Sequence, residues 1–231
     1  MKVYAISDLH LSIFSPKPMD IFGEVWSNYL DEISAHWEEN IADDDLVLIA
    51  GDISWAMTLD AVKPDLNYIS GFKGKKVLLR GNHDYWWHSI SALRGMLPYG
   101  VYAVQNDCLR FGDVLVCGSR GWTTPENGVF TDQDKKIYDR EIIRLRLSLQ
   151  DMAKKRTDAD KIVVMMHFPP FNSRFEDSPF TDLCKEYKVD AVVYGHLHGK
   201  NSRVKRSLNK DGIEYLLTSC DMIANKPVKV F

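Results

Sequence analysis

The sequence predicts an α/β fold. Short β-rich runs alternate along it with stretches of helical periodicity. Several of those runs are apolar almost without a break, as expected of strands covered on both faces. A chain of 231 residues that is 45% hydrophobic is also long enough to bury a substantial core, and one domain over 1–231 is expected.

Taken in order, the β-rich runs are "KVYAIS" (2–7), "DLVLIA" (45–50), "KKVLL" (75–79), "DVLVCG" (113–118), "KIVVMM" (161–166), "DAVVY" (190–194) and "EYLLTS" (214–219). Between the first two, Trp26, Tyr29, Leu30, Ile33 and Trp37 recur at spacings of three and four, which predicts a helix over 24–39. A clearer stripe of Tyr138, Ile142, Leu145, Leu149 and Met152 predicts a helix over 132–156. Its start carries Thr131 and, three residues on, Asp134, a capping-box pattern with Asp in place of the usual Glu. Shorter helices are expected over 60–70, 88–96 and 178–187. Both stripes read as core packing.

The residues just past the strands are more telling than the strands. "VYAIS" runs into "DLH", "LVLIA" into "GD", "VLL" into "RGNHD", "IVVMM" into "HFPP" and "AVVY" into "GHLH". Taken alone, "GNHD" is a turn, a "DLH" or "GD" is a helix cap or a turn, and a single His is more often hydrogen-bonded structure than a ligand. In open α/β sheets, however, ligands gather at the carboxyl ends of strands, so five polar endings can meet in one place. Five of the seven histidines fall in these endings, leaving only His36 and His88 outside. Asp8 and His10, like His196 and His198, are one residue apart, which in extended chain points both side chains to the same side.

The pool is Asp8, His10, Asp52, Asn82, His167, His196 and His198, with His83 beside them. All offer oxygen or imidazole, which suits Mn, Fe or Zn and not a soft-metal site. Seven donors exceed one tetrahedral zinc but fit two ions if a carboxylate bridges. The four cysteines, Cys108, Cys117, Cys184 and Cys220, form no C-x-x-C pair and read as free thiols of a reducing compartment.

In their order, "DLH", "GD", "GNHD", the His of "MMHFPP", and "GHLH" resemble the five motifs of the calcineurin-like metallophosphoesterases, from residue 8 to residue 198. The resemblance implies a four-layer α/β/β/α sandwich of two mixed sheets with a dinuclear centre at one edge. It implies two divalent ions, Mn or Fe first and Zn as a further option. Asp8, His10, Asp52 and His198 would hold one and Asp52, Asn82, His167 and His196 the other, with Asp52 bridging. Two ions roughly 3.5 to 4 Å apart lower the pKa of a shared water and hold hydroxide and phosphoryl oxygen for in-line attack. His83 is then placed to protonate the leaving oxygen. Asp84 would orient that turn or a ligand histidine from behind, or cap the following helix.

Departures narrow the subfamily. Ser/Thr phosphoprotein phosphatases of this superfamily continue the second motif as GD-x-x-D-R-G, whereas this chain reads "GDISWA", with Trp55 at the Asp position. Purple acid phosphatases resemble GD-x-x-Y and carry Gly where this chain has His10, so that reading fails as well. A phosphate clamp is therefore expected from Arg120 or Arg174, on two of the three long loops, 11–23, 119–131 and 168–178. Trp55, Trp86, Trp87 and Trp122 lie near motifs or rim loops, to pack them or to stack on substrate.

A formal charge of −3 gives no broad basic field, so nucleic acid is not favoured, and the runs "AKKR" and "RVKRSLNK" read as solvated faces. The first apolar run is too short for a signal-peptide core and no segment has the apolar length of a membrane span, which predicts a cytoplasmic protein. The expected activity is metal-dependent hydrolysis of a small phosphomonoester or phosphodiester. A nuclease acting on short single-stranded nucleic acid and an inactive scaffold of the same fold are the alternatives. Oligomeric state is left open.

Overall fold

The structure is a computed structural model that describes residues 1–13, 17, 19–126, 128, 130–199 and 204–231. The first sheet contains β1 (Val3–Ile6), β2 (Leu46–Ile49), β3 (Lys75–Leu78), β4 (Val101–Ala103) and β11 (Val228–Lys229). Its order is β11-β1-β2-β3-β4, with β1 to β4 parallel and β11 antiparallel on the edge. The second contains β5 (Leu109–Phe111), β6 (Val114–Ser119), β7 (Lys161–Met166), β8 (Ala191–Tyr194), β9 (Ser207–Lys210) and β10 (Ile213–Leu217). Its order is β5-β6-β7-β8-β10-β9, parallel in the middle and antiparallel at both edges. The described residues also form five α-helices, α1 (Tyr29–Asn40), α2 (Lys63–Ser70), α3 (Ile90–Arg94), α4 (Asp132–Lys155) and α5 (Pro179–Glu186), and 3₁₀ turns at Met19–Phe22, Glu24–Trp26 and Cys220–Ile223.

Alternation along the strands builds the layers. Successive side chains point to opposite faces, so Val3, Ala5, Leu46, Leu48 and Val77 meet Val116, Val163, Met165 and Val193 between the sheets. The intervening Tyr4, Ile6, Val47, Ile49 and Leu78 face outward onto Ile33 and Trp37 of α1 and Leu66 of α2. On the other sheet Ile162, Val164, Val192 and Tyr215 face Leu145, Leu149 and Met152 of α4 and Phe180 of α5. The result is the four-layer α/β/β/α sandwich. Each fully buried aliphatic contributes on the order of 1.5–3 kcal/mol, which makes the three apolar layers the main source of stability.

Several expected elements take a different form. The helix anticipated over 24–39 is a 3₁₀ turn at Glu24–Trp26 followed by α1, broken at Ser27 and Asn28, residues whose short polar side chains compete with helix backbone. The long helix forms as expected, and its capping box is real: Thr131 Oγ1 accepts the Asp134 N–H at 3.1 Å and Asp134 Oδ2 accepts the Thr131 N–H at 3.0 Å. The run "AKKR" closes this helix and is exposed. "RVKRSLNK", whose first residue lies outside the described ones, ends in the edge strand β9, which pairs with β10 across Asp211 and Gly212, both left-handed. Strands β4, β5 and β11 are only two or three residues long and leave little periodicity to read.

The sheets are joined at the carboxyl ends of their central strands. Ser7 forms a parallel bridge with Ser219, the Ser7 N–H donates to Thr218 O at 2.8 Å, and the Cys220 N–H donates to Ser7 O at 3.1 Å. All five motif loops leave the fold at this edge.

Candidate metal centre

Tight backbone geometry brings the donors together. Asp8, His10, Asp52 and His196 all adopt left-handed backbone, with φ of 59°, 46°, 50° and 71° respectively, a conformation that costs a non-glycine residue free energy and clusters at functional sites. Glycine is required beside them: a Cβ on Gly81 would fall on the Asp52 carboxylate and backbone, and one on Gly195 on the Asp8 carboxylate. The Gly of "GNHD" and of "GHLH" is thus there to let two loops touch.

Asp8, His10 and His198 form one close group of donor atoms, and Asp8, Asp52 and His167 a second. Asp52 Oδ2 lies 3.4 Å from His167 Nε2 and 3.8 Å from His10 Nε2, between the two imidazoles, while its Oδ1 accepts the His83 N–H at 2.8 Å. Asp8 Oδ1 is 3.3 Å from His198 Nε2, and both Asp8 oxygens accept the His196 N–H. The His196 ring packs edge-on against His167, their centroids 5.1 Å apart. Asn82 Oδ1 reaches His167 Nε2 at 2.7 Å. All seven donors and His83 are therefore assembled.

Hydrogen bonding behind the rings shows that a cation fits. The Ala50 carbonyl, 3.1 Å from His167 Nδ1, accepts a proton there and leaves the Nε2 lone pair facing the oxygens of Asn82 and Asp52. Likewise the His198 Nδ1–H donates to Asp221 Oδ1 at 2.9 Å, which turns Nε2 towards Asp8. Ring nitrogens and oxygens gathered in this way suit a positive ion. The donors are carboxylate, amide oxygen and imidazole, a set suited to Mn, Fe or Zn, and the Cys220 thiol bonds the Asp8 carbonyl instead of joining them.

Electrostatics agree. Burial alone would raise Asp8 and Asp52, but His198 and His167 beside Asp8, and His167 beside Asp52, hold both well below their ordinary value. Burial lowers His10 and His196 to about 4, which keeps them neutral and free to ligate. His198 is instead raised to about 10: burial opposes the charge, but Asp221 and Asp8 more than compensate.

Asp84 does not cap the following helix; Ser89 does, accepting the Ala92 N–H. Fully buried, Asp84 accepts from Gly81 N, Ile53 N, Ser54 N and Trp86 Nε1, which ties the turn bearing Asn82 and His83 to the loop bearing Asp52. Burial, then the Asp52 charge, pushes its carboxyl up to about 6. Arg120 stacks on Trp122 and lies 3.7 Å from buried Glu141, lining a small separate cavity with Arg80 and Arg144, and Arg174 is bound to Glu176 through two 3.0 Å contacts. Trp86 and Trp87 are buried packing residues, whereas Trp55 stacks on His10 at 4.8 Å.

Two participants escape the motif reading: Asp221, directly after the "TSC" that follows β10, and Trp26, on the 3₁₀ turn at Glu24–Trp26. Both line a cavity of about 560 Å³ over the donors, with Met19, Phe22, Trp55 and His83. Its position on the strand endings is where catalysis is expected in such a sheet.

The comparisons with known proteins agree with this geometry. The family model for calcineurin-like phosphoesterases matches residues 1–200. No curated protein matches the chain to significance. Among solved structures, the phosphopantetheinyl hydrolase of Mycobacterium tuberculosis is similar in fold, with a TM-score of 0.59 at 16% identity, covering 100% of this chain and 95% of that one. A protein of unknown function from Aquifex aeolicus is similar with a TM-score of 0.53 at 15% identity, covering 99% and 95%. No helix among the described residues is long and apolar enough to cross a membrane. With two mixed sheets, a close cluster of carboxylate and imidazole side chains at their edge and a family match over residues 1–200, the chain belongs to the calcineurin-like phosphoesterases, hydrolases that work with divalent metal ions.

Proposed function

We propose that the protein hydrolyses a small phosphoester with two divalent ions, Mn or Fe first and Zn as a further option. Asp8, His10, Asp52 and His198 would hold one and Asp52, Asn82, His167 and His196 the other. The observation that carries this reading is the set of ring nitrogens and oxygens of His167, Asn82, Asp52, Asp8 and His198 turned towards one another, with the Ala50 carbonyl and Asp221 bonded to the rings from behind. Bound ions would acidify a water and neutralise the phosphoryl oxygens.

The remaining chemistry falls to the chain itself. His83 lines the cavity, its backbone is anchored to Asp52, and its buried Nδ1 has no partner in the protein. We assign it delivery of a proton to the leaving oxygen. Asp84 holds that turn, and Trp55, 4.8 Å from both His83 and His10 by ring centroid, shields the site from water.

Turnover of Mn-loaded protein against aryl monoesters, aryl diesters, cyclic nucleotides, nucleoside diphosphates and single-stranded DNA tests the reading. We expect ester hydrolysis whose kcat falls about 10²–10⁴-fold in His83→Ala with Mn affinity retained. A mutant equal to wild type removes His83 from the mechanism. Protein inactive on every substrate after Mn loading refutes the enzymatic reading in favour of a scaffold.

A further inference from the structure

A second cavity, of about 430 Å³, adjoins the first at His196, which lines both. Phe168, Pro169, Phe171, Phe175, Leu197 and Val204 form its apolar side, facing a polar rim that includes Thr123, Asn172 and Ser173, and the Phe168 ring lies against His196 with centroids 4.0 Å apart. The first cavity is equally apolar on its far side, with Met19, Phe22, Val25, Trp26 and Trp55. Two apolar rooms therefore flank one donor cluster, and only the first contains His83.

Carboxylates line both rooms, Glu24, Asp52 and Asp221 in the first and Glu126 in the second. Among the described residues no Lys or Arg lines either room. One lysine reaches the wall of each, Lys17 over Trp55 at 5.0 Å and Lys205 over Phe175 at 5.7 Å, and one glutamate lines each, Glu24 and Glu126. Arg120 and Arg174 are engaged with Glu141 and Glu176. A phosphomonoester is largely dianionic at neutral pH, with a second pKa near about 6, and has one organic arm. A phosphodiester is a monoanion with two.

We infer that the substrate is a phosphodiester with two apolar or aromatic arms, the leaving arm in the cavity of His83 and the retained arm in the cavity of Phe171 and Phe175. This rests on the phosphoesterase reading above. Water oxygen bonds to phosphorus and gives up one proton to solvent, the bond from phosphorus to the leaving oxygen breaks, and that oxygen takes a proton from His83, which solvent then restores. The products are an alcohol and a monoester.

The test pairs turnover with binding. On Mn-loaded protein, kcat/KM is measured for bis(4-nitrophenyl) phosphate and 4-nitrophenyl phosphate. Calorimetry measures affinity for diphenylphosphinate, a monoanion with two aryl arms that cannot be hydrolysed, and for phenylphosphonate, which has one arm. We expect the diester and the phosphinate each to be favoured at least tenfold. Phe175→Ala, which opens the second wall, and Thr123→Trp, which fills the room from an exposed lining position, should each lower both preferences at least fivefold. Preference for the monoester and phosphonate overturns the inference and leaves the phosphoesterase reading intact. A diester preference untouched by either variant overturns the assignment of the second cavity. Absence of turnover on both esters refutes the phosphoesterase reading itself.

Discussion

Replacing Asp221 with Asn should weaken metal binding although Asp221 contributes no atom to the donor cluster. Its side chain, 3% exposed, accepts from His198 Nδ1 at 2.9 Å through Oδ1 and from Gly199 N at 3.0 Å through Oδ2. An amide keeps one of those two acceptors. If its oxygen serves Gly199, its NH₂ faces His198 Nδ1 and drives the ring proton to Nε2, the atom turned towards Asp8. If its oxygen serves His198, NH₂ meets N–H at Gly199. Either way one charge-assisted bond is lost, worth about 1.5–3 kcal/mol, and part of that cost reaches the ion. Loss of such a partner behind a ligand histidine lowers metal affinity about 10–100-fold, or roughly 1.4–2.7 kcal/mol. Calorimetric titration with Mn reads it directly, in the weaker of the two binding steps, and Asp221→Glu should recover part of the loss. An Asp221→Asn protein whose affinities stay within twofold of wild type would show that His198 is oriented without Asp221.

Three further outcomes are expected from the geometry. Gly81→Ala drives a methyl into Asp52, and a displacement of about 1 Å at a reacting centre costs on the order of 10²-fold in kcat/KM, so phosphoester turnover should fall by at least that, with far-UV circular dichroism unchanged. Thr131→Ala removes the cap of α4, and should cost about 1 kcal/mol, a drop of roughly 2–4 °C in Tm with no effect on metal affinity. The two hydrogen bonds from Arg110, at 2.6 and 2.8 Å, hold the Asp160 carboxyl well below the usual carboxylate range. A depressed native value gives stability that is full above about pH 4 and is lost progressively as pH falls through the native value, so the Tm gap between wild type and Asp160→Asn should be wide at pH 7 and narrow steadily as pH is lowered below about 4. A gap that widens in acid contradicts the pairing.

Much of this was legible in the residues, for identifiable reasons. Strands buried on both faces write themselves as uninterrupted apolar runs, and those seven runs are β1, β2, β3, β6, β7, β8 and β10. The long amphipathic stripe and Thr131 set the bounds of α4. Short edge strands have too few residues for a period, although Asp211-Gly212 offered a hairpin signal for β9 and β10. Trp26 belongs by spacing with the stripe of α1, and only the break at Ser27 and Asn28 sets it over the donors. Asp221 had a signal of the kind that exposed the five motifs, a carboxylate just past a strand ending, but no neighbouring histidine drew attention to it. The destinations of Arg120 and Arg174 depended on tertiary partners, Glu141 and Glu176, that loop position alone does not reveal.

Above all, these side chains are expected to hold a pair of divalent ions. Anomalous diffraction at the Mn edge from crystals grown with Mn tests this in one map. Two peaks roughly 3.5–4 Å apart are expected, with Asp52 between them, His10 and His198 at one and Asn82, His167 and His196 at the other. A single peak, or none within bonding distance of Asp52, would contradict a dinuclear centre.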